Sequence, residues 1–320
     1  VYRQGVRLGV GLVAMLVLSQ VPPHILRIWT PWLYGLGVLL LLATWFFGTG
    51  RATNRWLDLG LIRFQPSEIM KLGVPMMMAW DLHPRRLPPD AVTVLTSVAI
   101  LAVPAVLIAR QPDLGTSLLV AVSGVFALFL SGLHWRVIFG MAGLAIAAAP
   151  ALWFVMKDYQ RQRVLTFLDP ESDPLGSGWN IIQSKIAVGS GGLVGKGWLH
   201  GTQSRLEFIP ERHTDFILAV LSEEFGLVGV LLLFAVYLFI AGRCLYIAAL
   251  ARITYARLLA GSLGLTFFVY VLVNAGMVSG LLPVVGVPLP LVSYGGTSIV
   301  TLLAGFGIMM SIYGHRNFIR

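Results

Sequence analysis

The sequence predicts an all-α, polytopic integral membrane helical bundle, and three observations carry that reading. Of 320 residues, 57% are hydrophobic and only 12% are charged, against about 25% charged in soluble domains. Mean hydropathy is +0.82. Apolar runs of about 20 residues, enough for a hydrocarbon core of about 30 Å, recur along the chain. Half the usual charge cannot cover a water-soluble globule of this size, so a soluble enzyme, a disordered chain and a fibrous repeat are excluded. The runs are continuous, without the period-two alternation of a membrane barrel.

In chain order, nine spans are expected near 6–24, 32–48, 66–82, 91–109, 116–133, 136–156, 217–246, 257–277 and 294–313. The third is the weakest, because Glu68 and Lys71 lie inside it. Small residues such as Gly261, Ser262 and Gly264 allow close helix approach in lipid. With the carboxyl tail inside, the inner side holds Arg27, Arg85, Arg86, Arg136, Arg243, Arg252, Arg257, Arg316 and Arg320. The outer side holds Arg3, Arg7, Arg51, Arg55, Arg63 and Arg110. The excess of arginine inside supports this orientation. It places the amino end and the segment 157–216 outside, so either a further helix precedes Val1 or the count is off by one. No A-x-A-like site follows the first run, so it is not a signal peptide. The net charge of +9 comes from scattered residues rather than a basic arm, which argues against nucleic acid. The one cysteine, Cys244, excludes an internal disulfide.

The segment 157–216 is the long polar stretch, an extracytoplasmic loop with seven of the fourteen acids: Asp158, Asp169, Glu171, Asp173, Glu207, Glu211 and Asp215. A structureless loop of that length is uncommon unless functional, although a solvated cap would need no chemistry. Trp179, Ile182 and Ile186 at helical spacing predict a short interfacial helix over 178–188. The run Gly189–Gly197 fails as a phosphate loop, since Ser190 and Gly197 stand where Gly and Ser or Thr are required. It is expected to be a close-approach backbone around a bulky substrate, or a plain turn.

Glu211 and Asp215, four apart before an apolar run, would share one face of a helical turn. Desolvation where water meets lipid would raise the Asp215 pKa towards that of a general base. Acids in a helix first turn are the plainer explanation. Glu68 and Lys71 sit three apart at membrane depth, where charge is functional or a structural ion pair. Asp113 follows Gln111-Pro112 at a helix start and has the same two readings. The segment 278–293 contains Pro283, Gly286, Pro288 and Pro290 and cannot be one helix. It is expected to be a broken, re-entrant piece that is buried or lines a cavity, with Ser293 capping the last helix.

Over essentially all 320 residues, these features resemble the SEDS family (shape, elongation, division and sporulation). The resemblance rests on Arg55-Trp56-Leu57-Asp58, on Gln65-Pro66-Ser67-Glu68 with Lys71, and on Gln111 to Thr116. It continues in Asp169 to Pro174, Gly197 to Ser204, Glu211 to Phe216 and Pro283 to Gly296. Asp173 to Gly176 and Pro283 to Pro288 look more like its elongation branch than its division branch. The family has ten membrane helices, so its first helix and short leader are expected to be missing from these residues. The resemblance implies a peptidoglycan glycosyltransferase that polymerises lipid II, a disaccharide-pentapeptide on undecaprenyl diphosphate. It works at the periplasmic face of the bacterial inner membrane, with a class B penicillin-binding protein and other elongation-complex proteins. Asp215 would be the catalytic acid. Substrate binding is expected from Glu68, Lys71, Asp113, Lys185, Glu211, Arg212 and Ser293. The leaving diphosphate would be met by Lys71, Lys185, Arg212 or a divalent cation (Mg or Mn), although no cofactor is firmly implied. The alternative is a lipid II flippase, which needs a hydrophilic path through both faces; no internal repeat supports one. A pure scaffold would need no intramembrane charge.

Overall fold

The computed structural model describes residues 2–49, 55–58, 63–172, 177–206, 208–209 and 211–317. Asp173 to Gly176 of the family-like stretch, the acid Glu207, and Arg51 and Arg320 of the charge pattern lie outside them. Among the described residues the chain is helical apart from one pair of two-residue strands, β1 (Leu57–Asp58) antiparallel with β2 (Arg63–Phe64), and an isolated bridge between Thr49 and Trp56.

The expected spans coincide with helices α1 (Tyr2–Gln20), α2 (Pro23–Phe47), α3 (Pro66–Leu82), α4 (Ala91–Arg110), α5 (Leu114–Leu130) and α6 (Trp135–Val155). The three later ones are α10 (Ile217–Leu250), α11 (Thr254–Val278) and α12 (Gly296–Gly314). Among the described residues, α2, α4, α10, α11 and α12 are long and apolar enough to cross a membrane. The apolar parts of α1, α5 and α6 are shorter.

Helix α2 begins nine residues before its expected start. Pro23 at the first helical position lacks only an N–H that has no intrahelical partner there. The His24 and Arg27 turn is too polar to register as a span. Helix α12 starts at Gly296, and its N-cap is Gly295 with no side-chain cap, so Ser293 does not cap it. The segment 157–216 is more ordered than a loop with one helix. It contains α7 (Asp158–Leu168), a 3-10 turn (Pro170–Ser172), α8 (Ser177–Ser190) and the short α9 (Thr202–Arg205). Helix α8 contains the predicted 178–188. Its buried face, however, is Ile181, Ser184 and Ala187, while Ile186 points outward.

The chain packs as two compact units. One comprises Val1–Leu133, Ile240–Val269 and Gly295–Arg320. In it α1 packs along α12, and α2, α4 and α5 pack against α3. Its core includes Met70, Val74, Met78, Ile108, Leu128, Leu258 and Leu259. The other comprises His134–Phe239 and Tyr270–Tyr294.

In this second unit the glycine-rich run has an unexpected partner. Helix α10 is interrupted at Gly226, where φ is 63° and ψ is −164°. The run slots its backbone into that break. Lys196 and Gly197 N–H groups donate to the Glu223 and Glu224 carbonyls at 3.0 and 2.9 Å. Leu227 and Val228 N–H groups donate to Gly192 and Leu193 carbonyls at 3.0 and 3.1 Å. The close approach seen in the structure is therefore to a helix. Glu223 locks it from below. Its buried carboxylate pairs with Lys196 Nζ at 2.7 Å and accepts from the Thr202 N–H at 2.8 Å and the Gln203 N–H at 3.1 Å. An acid in an apolar run is a functional or structural signal, and this one passed unnoticed in the sequence because its run reads as a span.

Candidate active site

Within the second unit the site is built on the turn before α10. The Glu211 carbonyl accepts from the Thr214 N–H at 3.1 Å and the Phe216 N–H at 3.2 Å, which turns the chain tightly at Asp215. The broken segment after α11 lies against this turn. Gly286, with φ 74°, faces the carboxylate so closely that a Cβ there would sit 3.5 Å from Asp215 Oδ2. Burial, and then the Glu211 charge, push the Asp215 pKa up to about 6, opposed by Arg163 of α7. The expected upward shift is present, and Arg163 is a charged neighbour that sequence spacing did not single out.

Three hydrogen bonds hold the turn to the broken segment and α11, and a fourth joins α11 to that segment. Ser293 Oγ donates to the Thr214 carbonyl at 2.6 Å. The Tyr294 N–H donates to the His213 carbonyl at 2.8 Å. Asn274 Nδ2 donates to the Asp215 carbonyl at 2.8 Å and to the Val287 carbonyl at 2.7 Å. Ser293 Oγ also accepts from the Leu289 N–H at 2.7 Å. The Ser293 hydroxyl is thus occupied inside the protein, where it shapes the segment. Tyr237 of α10 adds a hydrogen bond to the Pro290 carbonyl at 2.7 Å.

Two cations of this unit, Lys185 and Arg212, flank the same elements. Lys185 of α8 lays its arm over Gly280, where a Cβ would meet Lys185 Cε at 2.1 Å. Arg212 Nε donates to His213 Nε2 at 3.2 Å. Thr214 Oγ1 donates to Glu211 Oε2 at 2.5 Å. Asp215, Glu211, Arg212, Ser293 and Lys185 therefore all bear on one turn and one broken segment. Among the described residues, no group of three or more His, Cys, Asp or Glu has the arrangement to hold a metal ion.

The other unit holds Glu68, Lys71 and Asp113. Lys71 Nζ meets Glu68 Oε1 at 2.7 Å, and Glu68 is only 4% exposed. Its Oε2 is buried with no hydrogen-bond partner among the described residues. Asp113 caps α5 by accepting from the Thr116 N–H at 3.2 Å, and it pairs with Arg55 at 3.3 Å and Gln65 at 3.2 Å. Arg55 also donates to the carbonyls of Gln111 and Pro112. One planar fork thus serves three acceptors, which an ammonium cannot reproduce. Arg55→Lys is expected to cost about 1–2 kcal/mol, read as a drop of a few degrees in the thermal unfolding midpoint of the detergent-solubilised protein. An unchanged midpoint would show that the fork is not a stabilising contact.

Comparison with known proteins gives a consistent picture. A family model described as "Cell cycle protein", covering FtsW, RodA and SpoVE, matches residues 1–317. Peptidoglycan glycosyltransferase MrdB of Escherichia coli K12 is 58% identical over 313 residues, 97% of this chain and 84% of that protein. A probable peptidoglycan glycosyltransferase FtsW of Geobacter metallireducens is 35% identical over 323 residues, again 97% and 84% of the two chains. A solved peptidoglycan synthase complex, described as coordinating polymerisation and crosslinking, contains a chain of similar structure. The TM-score is 0.85 at 34% identity, covering 99% of this chain and 90% of that one. The rod shape determining protein RodA of Thermus thermophilus matches with a TM-score of 0.73 at 28% identity, covering 99% and 88%. The chain is a multi-pass helical membrane protein and belongs to the FtsW, RodA and SpoVE family of cell cycle proteins, the SEDS family.

Proposed function

We propose that this chain is a peptidoglycan glycosyltransferase that polymerises lipid II at the outer face of the bacterial cytoplasmic membrane. The observation that carries the mechanism is Asp215: a partly buried carboxylate with a pKa near 6, clamped beside an irregular backbone segment. The acceptor sugar 4-hydroxyl loses its proton to the Asp215 carboxylate as its oxygen attacks the donor anomeric carbon. The new C–O glycosidic bond forms as the bond from that carbon to the diphosphate oxygen breaks. The electron pair leaves with undecaprenyl diphosphate. Arg212 and Lys185 supply positive charge to the departing diphosphate. Burial, and then the Glu211 charge, keep the Asp215 pKa high. Glu68, Lys71 and Asp113 serve substrate binding, with the Glu68–Lys71 pair keeping charge at membrane depth. Segment 157–216 is the extracytoplasmic loop, consistent with the arginine asymmetry of the short loops. A class B penicillin-binding protein is the crosslinking partner. That assignment is supported by the likeness to a synthase complex that couples the two activities.

The test is to incubate the purified protein and such a partner with labelled lipid II and to resolve products by gel before and after muramidase digestion. Muramidase-sensitive glycan strands are expected. No strands, with lipid II crossing the bilayer of protein-containing liposomes instead, would make the chain a transporter.

A further inference from the structure

Helix α11 reads as an apolar span, yet it carries an asparagine in the run Phe267 to Val278. A polar side chain there is costly unless its hydrogen bonds are made. Asn274 is fully buried. Its amide nitrogen has two hydrogens to give. They go to the Asp215 carbonyl at 2.8 Å and the Val287 carbonyl at 2.7 Å. Both partners are acceptors, so the amide orientation is fixed. A flip would face oxygen with oxygen. Asn274 Oδ1 is buried and has no partner among the described residues.

The two carbonyls belong to different segments, the turn before α10 and the broken segment after α11. Asp215 bears the carboxylate, and Val287 directly follows Gly286, whose backbone faces that carboxylate. A single planar amide thus bridges the turn and the broken segment beside the carboxylate. The remaining contacts between the same elements, from Ser293 to Thr214 and from Tyr294 to His213, attach one and two residues before Asp215. They hold the segment in place without Asn274. Asn274 donates its side-chain hydrogen bond to the backbone of Asp215 itself.

We infer that Asn274 is a positioning residue for the transferase reaction, which aims the Asp215 carboxylate by gripping its carbonyl and the facing backbone of the broken segment together. This inference rests on the Asp215 reading above and goes beyond it. A displacement of about 1 Å at a reacting group can lower a rate about a hundredfold while leaving remote binding intact.

The experiment compares wild type, N274A, N274D, S293A and D215N as the full chain with its crosslinking partner. Each is checked by size-exclusion chromatography and thermal unfolding, and polymerisation rate is measured against lipid II concentration. N274A is expected to lower kcat about 10- to 100-fold with KM within about twofold of wild type. N274D keeps the volume but loses the paired donors, and is expected to be similarly impaired. S293A, one residue further from Asp215, is expected to lose less kcat than either. Wild-type kcat in N274A and N274D, beside an inactive D215N, would overturn the inference and leave the Asp215 reading standing. So would a raised KM at unchanged kcat. If neither Asn274 variant folds, the residue is structural and the inference is overturned. Full activity in D215N would overturn the Asp215 reading, and this one with it.

Discussion

Asp215→Asn is expected to lower lipid II polymerisation by about a hundredfold to ten-thousandfold, the usual range for losing a general base. The amide preserves the shape of the side chain but cannot accept the 4-hydroxyl proton. Its effect on stability should run the other way. In the folded chain, burial and the Glu211 charge raise the Asp215 pKa from 3.8 to about 6. The folded state therefore binds that proton more tightly than the unfolded chain does. Between these two pKa values stability falls as pH rises, and above about 6 the full cost of the buried charge is present. The neutral variant escapes that cost, so its unfolding midpoint at pH 7 should equal or exceed that of wild type. Any advantage should disappear below the unfolded-state pKa of 3.8. An inactive variant that is also less stable at pH 7 would mean that Asp215 holds the turn together rather than acting on substrate.

Gly195→Val is expected to prevent recovery of folded protein. A Cβ at Gly195 would lie 2.2 Å from the Glu224 carbonyl oxygen, 2.4 Å from its carbon and 2.6 Å from the Gly226 nitrogen. All three are backbone atoms, at a helix break that cannot move without losing the four hydrogen bonds stitched across it. Gly195 also has φ 79°, which a β-branched residue does not adopt without strain. Together these exceed about 4 kcal/mol, a cost found where a specific packing feature is destroyed. Gly189→Ala is the matched control. Nothing lies within 4 Å of its Cβ position, so it should elute in size-exclusion chromatography as wild type does. A monodisperse, thermally stable Gly195→Val would show that the run does not occupy the break in α10.

The membrane helices were legible because each needs a long apolar run, and hydropathy measures that directly. The start of α2 was hidden, since a proline at a first helical position leaves no mark in hydropathy and its first turn is polar. Helix α7 has few apolar residues and no stripe. It is stabilised locally instead, by the Gln160 side chain accepting from the Lys157 N–H at 2.9 Å. The glycine-rich run invited a ligand reading because close backbone approach looks the same in sequence whether the partner is a phosphate or another helix. Only the matching break at Gly226, some 30 residues away, distinguishes the two. Asp215 was legible from its place between polar and apolar sequence, where burial shifts a carboxylate. Asn274 leaves only a weak mark in sequence, a lone amide in an apolar helix. Ser293 was noticed for its position but given the wrong partner. A serine two residues before two glycines looks like a helix cap, and its true acceptor, the Thr214 carbonyl, is 79 residues distant.

The most direct test of Asp215 as a general base with a raised pKa is the pH dependence of kcat/KM for polymerisation, from about pH 5 to about pH 8 with lipid II well below KM. The base works ionised. The rate should be level well above pH 6, reach half its maximum near the Asp215 pKa of about 6, and fall about tenfold per pH unit below it. A rate that stays level through pH 6 down to about 5 would show that no group with such a pKa takes the proton, and would contradict the account.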